Sequence, residues 1–145
     1  MNELYEIIVF TASHSCYANV VLDYLDPQNE LIHHRMFREH CVASKEGMYI
    51  KDLRVIKNRE MSDMIIVDNA SYSFAFQRDN GIPILPYYDF KGDKELLSLV
   101  EYLKEIVKFK NIRDLNRKTF KLSVFEKYED AGSVVENELK EFLMV

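Results

Sequence analysis

Three observations predict an α/β fold with a mainly parallel sheet. Two short, continuously apolar runs, Ile7 to Phe10 and Met64 to Val67, are rich in branched residues, as strands covered on both faces are. A third run, Ile82 to Leu85, follows the turn residues Asp79-Asn80-Gly81. Around these runs apolar residues recur at helical spacing, so strands alternate with helices.

Taken in order, the first strand comes almost at once, in YEIIVFTAS (residues 5–13). Tyr17, Val20, Val21, Tyr24 and Leu25 then fall on one helical stripe; Ser13 or Ser15 caps that helix and Asp26-Pro27 ends it. From Leu31 to Tyr49 the segments LIHHRMF, HCVAS and GMYI read as short strands, with turns at Arg38-Glu39 and Lys45 to Gly47. This stretch is expected to be a small antiparallel hairpin insert. MIIVD (64–68) and IPIL (82–85) follow as buried strands. Asp93 is placed to cap a helix with Leu96, Val100, Leu103 and Val107 on one face. The basic stretch from Lys108 to Lys121 reads as a solvated helix face, and the acidic remainder argues against a nucleic-acid site. Ser133 to Glu136 fits a capping box, and Val135, Leu139, Phe142 and Leu143 line a stripe of a short final helix.

Size and composition bound the rest. A chain of 145 residues fits one domain, and such a domain buries about 70% of its unfolded surface. With 48% hydrophobic and 30% charged residues, the balance is that of a folded globular protein. A net charge of −5 removes bulk attraction to nucleic acid. No apolar run reaches the ~18 residues of a membrane span, and MNELYE resembles neither a secretory signal nor a transit peptide. A nuclear or cytoplasmic location is therefore expected, with no membrane partner. Cys16 and Cys41 lack disulfide or metal-ligand spacing and read as reduced thiols. His33 and His34 point to opposite faces of a strand, so a shared ligand is not expected.

In open α/β sheets ligands bind at the carboxyl ends of the strands. Thr11-Ala12-Ser13 follow the first strand, Asp68 and Asn69 follow the second, and Lys51 lies between them in MYIKDL. A hydroxyl, an ammonium and a carboxylate on one rim suit a phosphoryl group and a divalent cation. Each residue alone has a plainer reading, as a turn cap or a solvated charge. Their joint order carries the chemistry.

VFTAS, YIKDL and IIVDN, in this order and spacing, resemble the small C-terminal-domain (CTD) phosphatase family of the haloacid dehalogenase superfamily, above all its CTD small phosphatase-like branch. HRMFREHCV, NGIPI and NIRDLNRKTFKL add to the resemblance, which runs from residue 4 to about 122. The organisation it implies is a partial phosphatase domain over 1–122 and a tail over 123–145. It also implies a haloacid dehalogenase-like sheet and a Mg²⁺-dependent phosphoserine or phosphothreonine phosphatase that works through a phosphoaspartate. Carried over by position, Thr11 would bind the transferring phosphoryl oxygens and Lys51 would neutralise the phosphoaspartate. Asp68, supported by Asn69, would ligate Mg²⁺. Ser13, Tyr17 and Arg38 would line the substrate groove.

One departure is large. The family's first strand ends in Asp-x-Asp-x-Thr, supplying the nucleophile and the acid/base, and these 145 residues contain no such motif. That strand is central in the family's sheet. Its absence predicts two apolar edges facing a gap, an inactive chain with little or no Mg²⁺ of its own, and either a truncated start or a partner chain that completes the sheet. A catalytically dead protein-binding scaffold, like the superfamily's mitochondrial import receptor, is the alternative. A smaller departure is Asp68-Asn69-Ala70-Ser71 where the family has Asp-Asn-Ser-Pro.

Overall fold

The computed structural model describes residues 1–122; the capping box at Ser133 and the stripe from Val135 to Leu143 lie outside them. The order is β1 (Ile8–Phe10), α1 (Ser15–Leu25), β2 (His34–Met36), β3 (Val42–Ala43), β4 (Tyr49–Ile50), β5 (Ile66–Asp68), β6 (Gly81–Pro83), α2 (Glu95–Ile106) and α3 (Ile112–Phe120). Short 3₁₀ segments fill several connections, the longest at Ser71–Asn80. This is an α/β arrangement of helices with small parallel and antiparallel sheets.

β1 pairs in parallel with β2, Ile8 opposite His34 and Phe10 opposite Met36. β5 pairs in parallel with β6, Ile66 opposite Gly81 and Asp68 opposite Pro83. The hairpin is β3 against β4 alone. The expectation of a hairpin insert from residue 31 therefore needs correction at its start. His34–Met36 belongs to a parallel pair, because the residues before it bond to β1: Ile7 carbonyl accepts from the amides of His33 (2.9 Å) and His34 (3.3 Å). The Arg38-Glu39 turn is a 3₁₀ turn over Arg38–His40.

These bonds also define two open edges. Ile7 carbonyl and the Thr11 amide, which reaches Met36 carbonyl at 2.9 Å, point to β2. Strand alternation turns the backbone groups of Ile8 and Phe10 the other way. Asp68 carbonyl accepts from Ile84 on the β6 side at 3.3 Å, so the backbone groups of Val67 face away from β6. Among the described residues no strand pairs with either of those edges. β1 is accordingly half-buried throughout, rather than covered on both faces.

α1 spans the expected residues but buries Ala18 and Leu22, leaving Tyr17, Val20, Val21, Tyr24 and Leu25 exposed. Neither serine caps it. His14 occupies the N-cap without a side-chain bond. At its end, buried Asp26 accepts from the amides of Glu30, Leu31 and Ile32 at 2.8–3.0 Å. The N-cap of α2 is Lys94, one residue later than expected, although Asp93 still accepts from the Glu95 amide at 3.0 Å. Its buried residue is Ile106, while Leu96 and Val107 are exposed. The third strand is shifted by one, to Gly81–Pro83.

The core is built from Leu53, Met64, Ile66 and Phe74, with Ile56, Met61 and Leu122 packed against it. Asn80, fully buried, donates to Met61 and Met64 carbonyls at 2.7 and 2.6 Å and fixes the entry to β6. α3 is only partly the solvated face expected. Ile112 and Asn116 are buried, and Arg117 binds Asp79 at 2.6 Å. His33 and His34 bond separately, to the Ile7 amide (3.0 Å) and the Glu6 carboxylate (3.2 Å).

Candidate functional site

Thr11 is the first residue beyond β1. Its Oγ1 accepts from the Ser13 amide at 3.1 Å, closing a tight turn and leaving the hydroxyl proton free to donate. Arg38 holds this turn from the outside. Its amide donates to Ser13 carbonyl (3.1 Å) and its Nε to Ala12 carbonyl (2.6 Å). The guanidinium also lies 3.0 Å from His14 Nε2 and 4.9 Å from the Tyr49 ring centre, a cation–π distance. Ser13 and Arg38 thus meet. Tyr17, 66% exposed, sits one turn into α1 from His14.

Lys51 follows β4. Its amide donates to Ser73 carbonyl at 2.7 Å, and its ammonium forms a buried salt bridge with Asp68 Oδ2. Asp68 ends β5, and its Oδ1 accepts from the Ala70 amide at 2.8 Å. Asn69 is exposed. The side chains of Lys51 and Asp68 are only 13% and 7% exposed, so the pair is desolvated and each charge depends on the other.

Cys41 joins the two groups, and sequence reasoning did not place it there. Its Sγ lies 3.9 Å from Thr11 carbonyl. Burial pushes its thiol up, against the opposing pull of Lys51 and Arg38. The signal was available in the hairpin register: Val42 opposite Ile50 puts Cys41 opposite Lys51.

Asp52 was also missed. It is buried, caps the 3₁₀ turn Leu53–Val55 and anchors the loop that presents Lys51. Arg54 donates to it at 2.6 Å and Gln77 at 2.9 Å. The Arg54 hydrogen bonds lower its pKa from 3.8 to about 2 against the effect of burial. A depressed carboxylate contributes stability that is complete above its unfolded pKa and is lost as pH falls through the folded one. Unfolding measured from pH 4 down to pH 2 should therefore show a loss of about 2 kcal/mol that is absent in Asp52→Asn.

The oxygen donors at this rim are Asp68 and Asn69. Both Asp68 oxygens are already engaged, one by an ammonium. Among the described residues no three His, Cys, Asp or Glu side chains converge on a cation site. Mg²⁺ demands near-octahedral oxygen coordination, so these residues alone do not fit it.

The family described as NLI interacting factor-like phosphatase matches residues 1–113. Among curated relatives, CTD small phosphatase-like protein 3 of Caenorhabditis elegans is 45% identical over 123 residues, covering 84% of this chain and 42% of the relative. CTD small phosphatase-like protein 2 of Dictyostelium discoideum is 42% identical over 122 residues, covering 84% and 21%. The mitochondrial import inner membrane translocase subunit TIM50 of Candida glabrata is 36% identical over 104 residues, covering 72% and 21%. The chain thus spans between about a fifth and two fifths of the length of these relatives. No helix of the described residues is long and apolar enough to cross a membrane.

Proposed function

This chain belongs to the NLI interacting factor-like phosphatase family, and from that premise we propose that it forms the phosphate-binding half of a protein serine/threonine phosphatase site. The observation that carries the reading is the desolvated Lys51–Asp68 pair at the carboxyl end of β5. Thr11, with its hydroxyl proton free, lies within the same neighbourhood through Cys41. A buried ammonium exchanges a carboxylate partner for a phosphoryl oxygen at little added desolvation cost, since its desolvation is complete in the fold. Thr11 donates to a second oxygen, and Arg38 with Ser13 shapes the groove that a phosphoprotein would enter.

The nucleophile and the acid/base belong, on this reading, to a strand that these 145 residues do not contain, supplied by the same polypeptide or by another. The unpaired edges of β1 and β5 support a strand between them. The family resemblance implies Mg²⁺ in the complete domain, with Asp68 and Asn69 as only part of its ligand set. A nuclear or cytoplasmic site of action goes with this reading. A second reading, a protein-binding scaffold without catalysis, is favoured by the likeness to the import-translocase subunit.

An NMR titration with inorganic phosphate separates the two. The phosphatase half-site predicts shifts of the Thr11, Ala12, Ser13 and Lys51 amides that vanish in Thr11→Val. A titration that leaves those amides unmoved overturns it and leaves the scaffold.

A further inference from the structure

The cations of α2 and α3 are used differently. Lys104 of α2 meets Glu101 at 2.8 Å, and Lys108, just past that helix, meets Glu105 at 2.6 Å. Residues 110–121 instead hold five cations and a single carboxylate, in a chain whose net charge is −5. Ile112 and Asn116 are buried, so α3 presents its opposite side to solvent. On that side Arg113 and Arg117 stand four apart, and Lys110 and Lys121 continue the stripe beyond the two ends of the helix. Lys118 is exposed beside it.

This positive charge is only partly answered within the fold. Asp79 faces Arg117 at 2.6 Å and Arg113 at 3.7 Å, and one carboxylate cannot neutralise two guanidiniums. Asp114 adds a longer contact with Arg117, at 3.4 Å. Among the described residues Lys110, Lys118 and Lys121 form no ion pair. Like charges gathered on one helix face repel, and an anion laid along them relieves that repulsion.

The dimensions select the anion. From Lys110 to Lys121 the stripe runs roughly 16 Å, the length of about five extended residues. Val107 and Phe109, 40% and 48% exposed, precede Lys110 and offer an apolar foothold next to the charges. Asp79 holds Arg113 and Arg117 in place before any ligand arrives, which lowers the ordering cost for a discrete partner. A nucleic-acid site takes on the order of 6–10 phosphate contacts, more than three lysines and a shared arginine pair supply. A short acidic segment with one apolar residue fits the length, the charge and the foothold together.

We propose that the outer face of α3, from Lys110 to Lys121, docks an acidic peptide segment of a partner protein. Asn116 donates to Gly81 carbonyl at 3.4 Å, and Gly81 begins β6. Pro83, at the other end of β6, is the residue opposite Asp68. The docking face therefore belongs to the start of that strand, and the Lys51–Asp68 pair to its end. The docking stands on the charge and geometry of α3 and is independent of the phosphatase reading.

An NMR titration of the full chain with the peptide Glu-Glu-Leu-Glu-Glu-Glu tests it. The amides of residues 110–121 should shift, while those of Thr11, Ser13 and Lys51 stay in place. Lys110→Glu/Lys118→Glu, at two exposed positions, should weaken binding by about tenfold or more, with the Phe74 and Ile106 amides unmoved by the substitutions. Lys110→Gln/Lys118→Gln should weaken it less. A peptide that leaves residues 110–121 unmoved, or that binds the charge-reversed chain as tightly as the parent, overturns the proposal. Tighter binding of a short single-stranded oligonucleotide, or of phosphatidylserine vesicles, also overturns it and gives the face to nucleic acid or to a membrane. So does a dimer mass that the charge reversal abolishes, which gives the face to a second copy.

Discussion

Asp68→Ala is expected to destabilise the chain by about 3–5 kcal/mol, the cost of leaving one buried charge without its partner. The side chain of Lys51 is only 13% exposed, and its loop is held by the Lys51 amide donating to Ser73 carbonyl. The substitution also removes the acceptor of the Ala70 amide. Replacing both charges, as Lys51→Met/Asp68→Leu, should recover most of the loss, since an apolar pair needs no desolvation. Urea unfolding of Asp68→Ala and of the double variant measures this. If Asp68→Ala unfolds at the parent's midpoint, the pair does not hold the site together. On the proposed reading, a half-site without its substrate satisfies its own lysine through Asp68.

Phe74→Ala is expected to cost about 3–5 kcal/mol, because Phe74 is 1% exposed at the centre of the core cluster. Its ring packs against Gly81, where any Cβ would overlap the ring edge. Gly81→Ala should therefore cost about 1–3 kcal/mol by overpacking. The two effects should not add: with the ring gone, the methyl at position 81 meets open space, and the double variant should be more stable than the sum predicts. Additive losses in thermal or urea unfolding would show that the close approach at Gly81 carries no strain.

The parts legible in the sequence are those decided by continuous burial or by chemistry at a strand end. Ile66–Asp68 emerged from its branched apolar run, and Lys51 with Asp68 from their order in the chain. β2 was not legible as a parallel strand. Its His34-Arg35-Met36 is polar and short, and its pairing is set by contacts with residues 8 to 10, far away in sequence. The α1 stripe was legible as a helix but misleading as to burial. Spacing reports which residues share a face, and only the neighbours decide whether that face is covered. Arg38 was expected at the groove, yet its hold on Ala12 carbonyl and the Tyr49 ring depends on a 3₁₀ turn that no local signal marks. Asp52 and Cys41 were hidden for a related reason. One acts through a cap and the other through hairpin register, and neither is a motif.

The strand that the proposed function calls for bears on the open edges of β1 and β5. The motif these residues lack would end a strand, and among the described residues one side of β1 and one side of β5 have no paired strand. The measurement that tests this most directly is hydrolysis of an aryl phosphate in Mg²⁺ by the chain, alone and with an apolar strand ending in Asp-x-Asp-x-Thr fused ahead of Met1. The expected result is turnover no greater than the blank for the chain alone, and turnover with the strand that is lost on Thr11→Val or Lys51→Met. Turnover by the chain alone, or none once the strand is supplied in folded protein, would contradict it.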